Sequence, residues 1–313
     1  MWLAIVLTVL PTLLYVTFLW WLDRYEKEPW PLLLAVFVWG AVPAVALALL
    51  AELPNTASTL GFDRGSQPVW YAPLVEEPLK ALALFGIYMF FRYEFDGVLD
   101  GIIYGALIGF GFAMTENAIY FASRGGSITS LLWLRVVLFG FNHAFYTSII
   151  GVALGMIRYE RRRWVVVVMQ PLSLILAVVF HALHNMTISY RFPGVLIAWL
   201  ISSGGVLIVV LVAIIAWRKE RYWIDLELVE EIRCGFIDQA TYQTVRSTRR
   251  RVQSQWEALF RGGWRAVQTV RTRHHLLTEL AFLKYQLRIG DVHCRPADLY
   301  PLRRRILEVH EDF

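Results

Sequence analysis

Cysteine is nearly missing from this chain of 313 residues: Cys234 and Cys294 are the only two, and both lie near the C-terminal end. That excludes a disulfide framework and a cysteine metal site, and it suits a reducing compartment. Charge is scarce as well. Asp, Glu, Lys and Arg make up 18% of the residues, against 57% hydrophobic and 15% aromatic. With a mean hydropathy of +0.50, this balance excludes an ordinary soluble globular domain and points to a polytopic membrane protein. The little charge present is unevenly placed. Residues 217–313 hold 18 Lys/Arg and 13 Asp/Glu, whereas residues 1–216 hold 12 of each, so the net +5 belongs wholly to the C-terminal tail. A basic tail after a last span reads as a cytosolic domain facing anionic headgroups. It carries no nucleic-acid-binding signature, so no nucleic acid is expected as a partner. Also lacking are a basic segment and a cleavage site around Met1–Leu22, which is read as a retained first helix and not a signal peptide.

What is present is a series of apolar runs of span length. The expectation is an all-α, polytopic transmembrane helix bundle of about seven spans (residues 1–217) with a helical cytosolic tail (218–313). The spans are read at Met1–Leu22, Pro31–Leu53, Tyr71–Phe91, Val98–Phe121, Leu131–Ile157, Trp164–Met186 and Val195–Trp217. Asp23–Pro29, Pro54–Trp70, Arg92–Gly97 and Ser123–Ser127 are read as loops. Four arginines follow the fifth span and Arg218, Lys219 and Arg221 follow the seventh. The opposite-side loops carry one basic residue each, which places the N-terminus outside and the tail inside. Gly101, Gly105 and Gly109 recur every four residues on one face of the fourth span, a spacing that lets helix backbones approach closely. In the tail, helices are expected over Asp225–Cys234, Tyr242–Phe260 and Trp264–Arg288, with Gly262-Gly263 as a break. Arg249-Arg250-Arg251 reads as a solvated face or a headgroup contact.

Four consecutive spans carry ionisable groups inside apolar sequence: Glu76, Glu77 and Lys80; Glu116; Asn142 and His143; and His181, His184 and Asn185. Each charge at a span centre costs about 2.5–3.5 kcal/mol, so such residues call for a site, a pathway or an ion pair. Their depths agree. At 1.5 Å per residue, Glu77 lies about 9 Å into its span, Glu116 and His181 about 8 Å before the ends of theirs, and His143 about 18 Å into its own. Glu76 and Lys80 share a helix face at i,i+4, while Glu77 is turned about 100° away. An ion pair orienting Glu76 is therefore expected. His184 reads as a helix–helix hydrogen bond or a supporting residue, and Asp96 and Asp100 as caps. Two chemistries suit the set. With a metal, His143, His181 and a glutamate would ligate a Zn²⁺-type ion whose open position holds water. Without one, Glu77 would activate water, with the histidines and Asn185 stabilising the oxyanion. A proton pathway and a purely structural role are the competing readings. A transporter should show symmetry between its halves, and none is visible.

These residues resemble the PrsW family of intramembrane proteases. The resemblance rests on Glu76-Glu77-Pro78-Leu79-Lys80, on Phe112 to Glu116, and on His143 and His181 to Asn185. The flanking stretches Asp23–Pro29 and Glu94–Gly101 also look like the family, and the likeness covers about residues 20–190. It implies hydrolysis of a peptide bond in a membrane-anchored protein, such as an anti-sigma factor, in a bacterial-type cell membrane. The roles it implies are Glu77 as general base and Glu76 as a supporting carboxylate held by Lys80. Glu116, His143 and His181 become metal ligands or polarising groups, Asn185 an oxyanion donor and Phe112 a supporting residue. The related prenyl-protein proteases carry His where this chain has Glu116, which favours the PrsW branch over that alternative.

Overall fold

The structure, a computed structural model, describes residues 2–22, 25, 27–63, 65–123, 128–291 and 294–311. Asp23, Arg24 and Glu26 of the expected first loop, and Arg124–Ser127 of the later one, lie outside the described residues. The described chain is helical and contains no strand, in keeping with an all-α polytopic bundle. Five helices are long and apolar enough to cross a membrane: Trp30–Ala51, Val98–Ser123, Ile128–Ile157, Arg163–Ile188 and Phe192–Arg233. Of the other two expected spans, one contains a shorter apolar stretch, Val6–Trp21. The other, Ala72–Phe90, carries Glu76, Glu77 and Lys80.

Two compact units form, residues 1–22 with 28–214 and residues 23–27 with 215–313. We label the helices of the first unit α1 (Trp2–Leu22), α2 (Trp30–Ala51), α3 (Ala72–Phe90), α4 (Val98–Ser123), α5 (Ile128–Ile157) and α6 (Arg163–Ile188); α7 (Arg191–Arg233) begins in the first unit and ends in the second. Helix α4 is the axis. It is buried nearly all round from Leu99 to Ala113, as an apolar helix at the centre of a bundle must be. Its glycine face lies against the second half of α5. A Cβ at Gly105 would stand 2.8 Å from the Thr147 carbonyl oxygen, and one at Gly101 or Gly109 would overlap the backbone of Gly151 or His143. A second small-residue seam, with Gly40 against Ile108 and Gly111 against Phe37, holds α2 to α4. Three stretches wind as wider π-helical turns: Gly40–Ala44 within α2, Gln67–Tyr71 before α3, and Leu132–Leu138 within α5. A turn at residues 139–141 then interrupts α5 before it resumes at Asn142.

Helix α7 runs from the apolar sequence into the tail without a break. The separate helix expected at Asp225–Cys234 is its continuation, since 217–224 contains neither Gly nor Pro and favours helix. The second unit adds α8 (Gln239–Val245), α9 (Thr248–Ile289) and α10 (Leu299–Glu311). The expected single helix Tyr242–Phe260 is split, because Ser247 caps a new start with its hydroxyl facing the Arg250 amide. Tyr25 joins Trp223, Ile224, Leu228, Leu277 and Leu280 in this unit's core. Two buried glutamates are neutralised there: Glu231 by Lys284 and Arg303 at 2.7 and 2.6 Å, and Glu227 by Arg288 at 3.0 Å. Arg251 departs from the solvated face expected of its triplet. It is buried, donating to the Val245 and Tyr25 carbonyls and to the Thr278 hydroxyl, because the chain turns its guanidinium into the interior.

Candidate active site

Glu76, Glu77, His143 and His181 each offer a ligand atom, and the four atoms lie within 4.8 Å of one another. Helix α3 supplies the carboxylates, α5 and α6 one imidazole each. Lys80 sits among them, fully buried, with Nζ 2.6 Å from Glu77 Oε1, 3.5 Å from Glu76 Oε2 and 3.2 Å from His143 Nδ1. The expected Lys80–Glu76 pair is present, and Lys80 holds Glu77 more closely still. Four residues turn a helix about 40° past a full circle and three stop about 60° short, so Lys80 lies between the two carboxylates and reaches both. Phe112 underlies the ammonium, its ring centroid 4.3 Å from Nζ.

Hydrogen-bond logic fixes the imidazoles. Lys80 can only donate, so His143 Nδ1 accepts and the ring proton sits on Nε2. That proton points to Glu116 Oε2 at 2.9 Å. The Glu77 carboxylate, paired with Lys80, accepts from His181 Nδ1 at 2.8 Å. Tyr146 stacks on the His181 ring at 4.9 Å, and the two imidazoles meet edge to face at 5.2 Å. Glu77 Oε2 is buried and has no hydrogen-bond partner among the described residues.

A cavity of about 670 Å³ opens beside this cluster. Glu76, Glu116, His143, His181 and Asn185 line it; Glu77 and Lys80 stand behind the wall. Of the adjacent pair, the carboxylate facing the cavity is thus Glu76, although Glu77 was the base expected from the sequence. Asn185 does not join the cluster: its amide donates to the Pro68 carbonyl at 2.8 Å, in the cavity rim. His184 pairs with Asn142 at 3.1 Å, a bond between α6 and α5.

Sequence reasoning missed Arg135. Its guanidinium contacts Glu116 Oε2 at 2.7 Å and Asn117 Oδ1 at 2.7 Å, and lies 3.8 Å over the Tyr120 ring. Glu116 therefore binds both a cation and His143, and does not reach the four-donor cluster itself. The signal was available: Arg135 is the one Lys or Arg in the apolar run 131–157, and a lone arginine there needs a partner. Glu52, just past the end of α2, also lines the cavity, and sequence reasoning missed it too.

The family described as PrsW family intramembrane metalloprotease matches residues 28–217. Protease PrsW of Geobacillus kaustophilus is 25% identical over 158 residues, which is 50% of this chain and 68% of that protein. Protease PrsW of Bacillus subtilis is 26% identical over 207 residues, 61% of this chain and 88% of the relative. That of Halalkalibacterium halodurans is 35% identical over 122 residues, 34% of this chain and 53% of the relative. No solved structure matches. With the match covering more than half of the chain, including every residue of the Glu/His cluster, the chain belongs to the PrsW family of intramembrane metalloproteases.

Proposed function

We propose that Glu76, Glu77, His143 and His181 form the hydrolytic centre, and that it cuts a peptide bond of a membrane-anchored protein such as an anti-sigma factor. One observation carries this reading: four donor atoms from three helices converge within 4.8 Å beside a cavity. The set fits a zinc-type ion. Two imidazoles and two carboxylates are its usual donors, and Glu77 Oε2 is a buried oxygen still wanting a partner. Glu77, His143 and His181 would hold the ion, with Lys80 giving up its bond to His143 Nδ1; the ion when bound polarises a carbonyl and lowers the pKa of water.

The chain's own residues supply the remainder. Glu76, in the cavity wall, takes the proton of the attacking water as general base and returns it to the leaving amine. Glu116 accepts from His143 Nε2 and so keeps Nδ1 turned to the centre, while Arg135 holds Glu116. Asn185 spends one amide hydrogen on Pro68, and its second is the candidate oxyanion donor. We further read residues 1–217 as the protease domain and 218–313 as a cytosolic tail, with the N-terminus outside. The arginines after the fifth and seventh expected spans support that orientation. The prenyl-protease, transporter and scaffold readings have no finding in their favour.

The test is metal content by mass spectrometry on detergent-purified protein prepared without chelators. Near-stoichiometric zinc is expected in the wild type, lost in His143→Ala, His181→Ala and Glu77→Ala and weakened in Glu116→Ala. A wild type that takes up no metal after zinc is offered back would sink the reading.

A further inference from the structure

Within the second unit, Arg251 donates to Thr278 at 2.6 Å. Along one straight helix these residues would stand about 40 Å apart. The chain therefore reverses between them, and Gly263 supplies the reversal with φ 67° and ψ −159°. Helix α9 is a hairpin whose tip lies about 18 Å beyond the Arg251–Thr278 pin. Its inner face, Arg251, Ala258 and Val267, is buried. Its outer face presents Trp256, Phe260 and Trp264 at 56%, 83% and 61% exposure, with Trp256 and Phe260 stacked at 6.2 Å. Around them stand five exposed arginines, Arg249, Arg250, Arg261, Arg265 and Arg271, and a single acid, Glu257.

We propose that this hairpin tip is an anchor for anionic membrane. Large aromatics left in water at a tip are costly, and a chain embedded in a bilayer always has lipid within reach. Trp and Phe are the residues that settle at headgroup level, and arginines around them match lipid phosphates. A protein partner would need a strongly acidic surface to tolerate the same charge. The proposal does not depend on the catalytic reading.

The test uses the full chain with Cys234→Ser and Cys294→Ser, carrying one nitroxide at Phe260→Cys or, as reference, at Tyr300→Cys, which is also exposed. Protein in nanodiscs of phosphatidylcholine, with or without phosphatidylglycerol, is measured for label access to a water-soluble relaxant and to oxygen. In the anionic discs the label at 260 is expected to lose access to the relaxant and gain oxygen, while the label at 300 stays in water. Arg249→Gln, Arg250→Gln, Arg261→Gln and Arg265→Gln together should restore water access, at about fivefold in surface partitioning per arginine. Equal access in neutral and anionic discs overturns the proposal. So does shielding that persists in lipid-free detergent, which would assign the face to a second copy of the chain.

Discussion

Replacing Lys80 by methionine keeps its length and removes its charge, and the structure sets the size of the effect. Glu77 is fully buried, and its nearest cation is the Lys80 ammonium at 2.6 Å. Removing one partner of a buried pair costs about 3–5 kcal/mol, because a charge stays behind without compensation. At about 2–4 °C per kcal/mol for a unit of this size, the apparent melting temperature with chelator present should fall by roughly 6–20 °C. The penalty belongs to the stranded carboxylate, so Lys80→Met with Glu77→Gln should melt well above Lys80→Met alone. Zinc adds a further contrast. An ion among the same carboxylates supplies the missing positive charge, so it should raise the melting point of Lys80→Met more than that of the wild type. Saturation at 100 times Kd is worth about 2.7 kcal/mol. Intrinsic-fluorescence melts of the three proteins, with and without zinc, read all of this. If Lys80→Met melts with the wild type, or Glu77→Gln fails to rescue it, the charge account of the centre is wrong.

Other consequences can be checked in parallel. Gly105→Ala should cost about 1–3 kcal/mol, because its Cβ would meet the Thr147 backbone at 2.8 Å, whereas Gly86→Ala, with nothing within 4 Å, should melt like the wild type. Arg135→Gln should weaken zinc binding about 10–100-fold by freeing Glu116 from its cation, with Arg135→Lys intermediate, as titration would show. In the tail, burial and the neighbouring Arg251 and Arg273 push the His274 imidazole down to about 3. The unfolded chain then binds the extra proton first, so stability is full above about pH 6.5 and is lost as pH falls, by about 2 kcal/mol at pH 5. Hydrogen exchange over residues 276–282 should quicken between pH 7 and 5 after correction for intrinsic rates, and His274→Leu should flatten that change.

Much of this was legible because lipid makes polar residues conspicuous. Glu76, Glu77, Glu116, His143 and His181 stood out against apolar sequence, and a shared depth was enough to expect them together. What the sequence hid follows from departures from a regular helix. A straight α-helix from Leu131 gives no reason for Arg135 to face Glu116, yet the π-helical turn Leu132–Leu138 and the break at 139–141 change the facing of everything before Asn142. The ranking of Glu76 and Glu77 was hidden for a plainer reason. Adjacent residues differ by a rotation, and which one meets the cavity depends on where α5 and α6 stand. In the tail, Gly262-Gly263 announced a break, but a reversal needs the long-range bond from Arg251 to Thr278 to be seen.

Packing and chemistry meet on one face of α4. Gly101, Gly105 and Gly109 step along it four residues at a time, and Glu116 lies seven residues beyond Gly109, within about 20° of the same line. The backbone opposite Gly109 is that of His143 itself. The absence of a side chain at Gly109 thus lets the His143 main chain approach α4, and two turns later Glu116 on that same line meets His143 Nε2 at 2.9 Å. A helix interface held apart by one methyl would move the imidazole relative to Lys80, Glu77 and Glu116 together, since all three contact or face it. The glycine stripe, which reads in sequence as packing alone, is therefore also a positioning device. An alanine in it should damage metal binding as well as stability, whereas an equally destabilising change in the α2 seam should not.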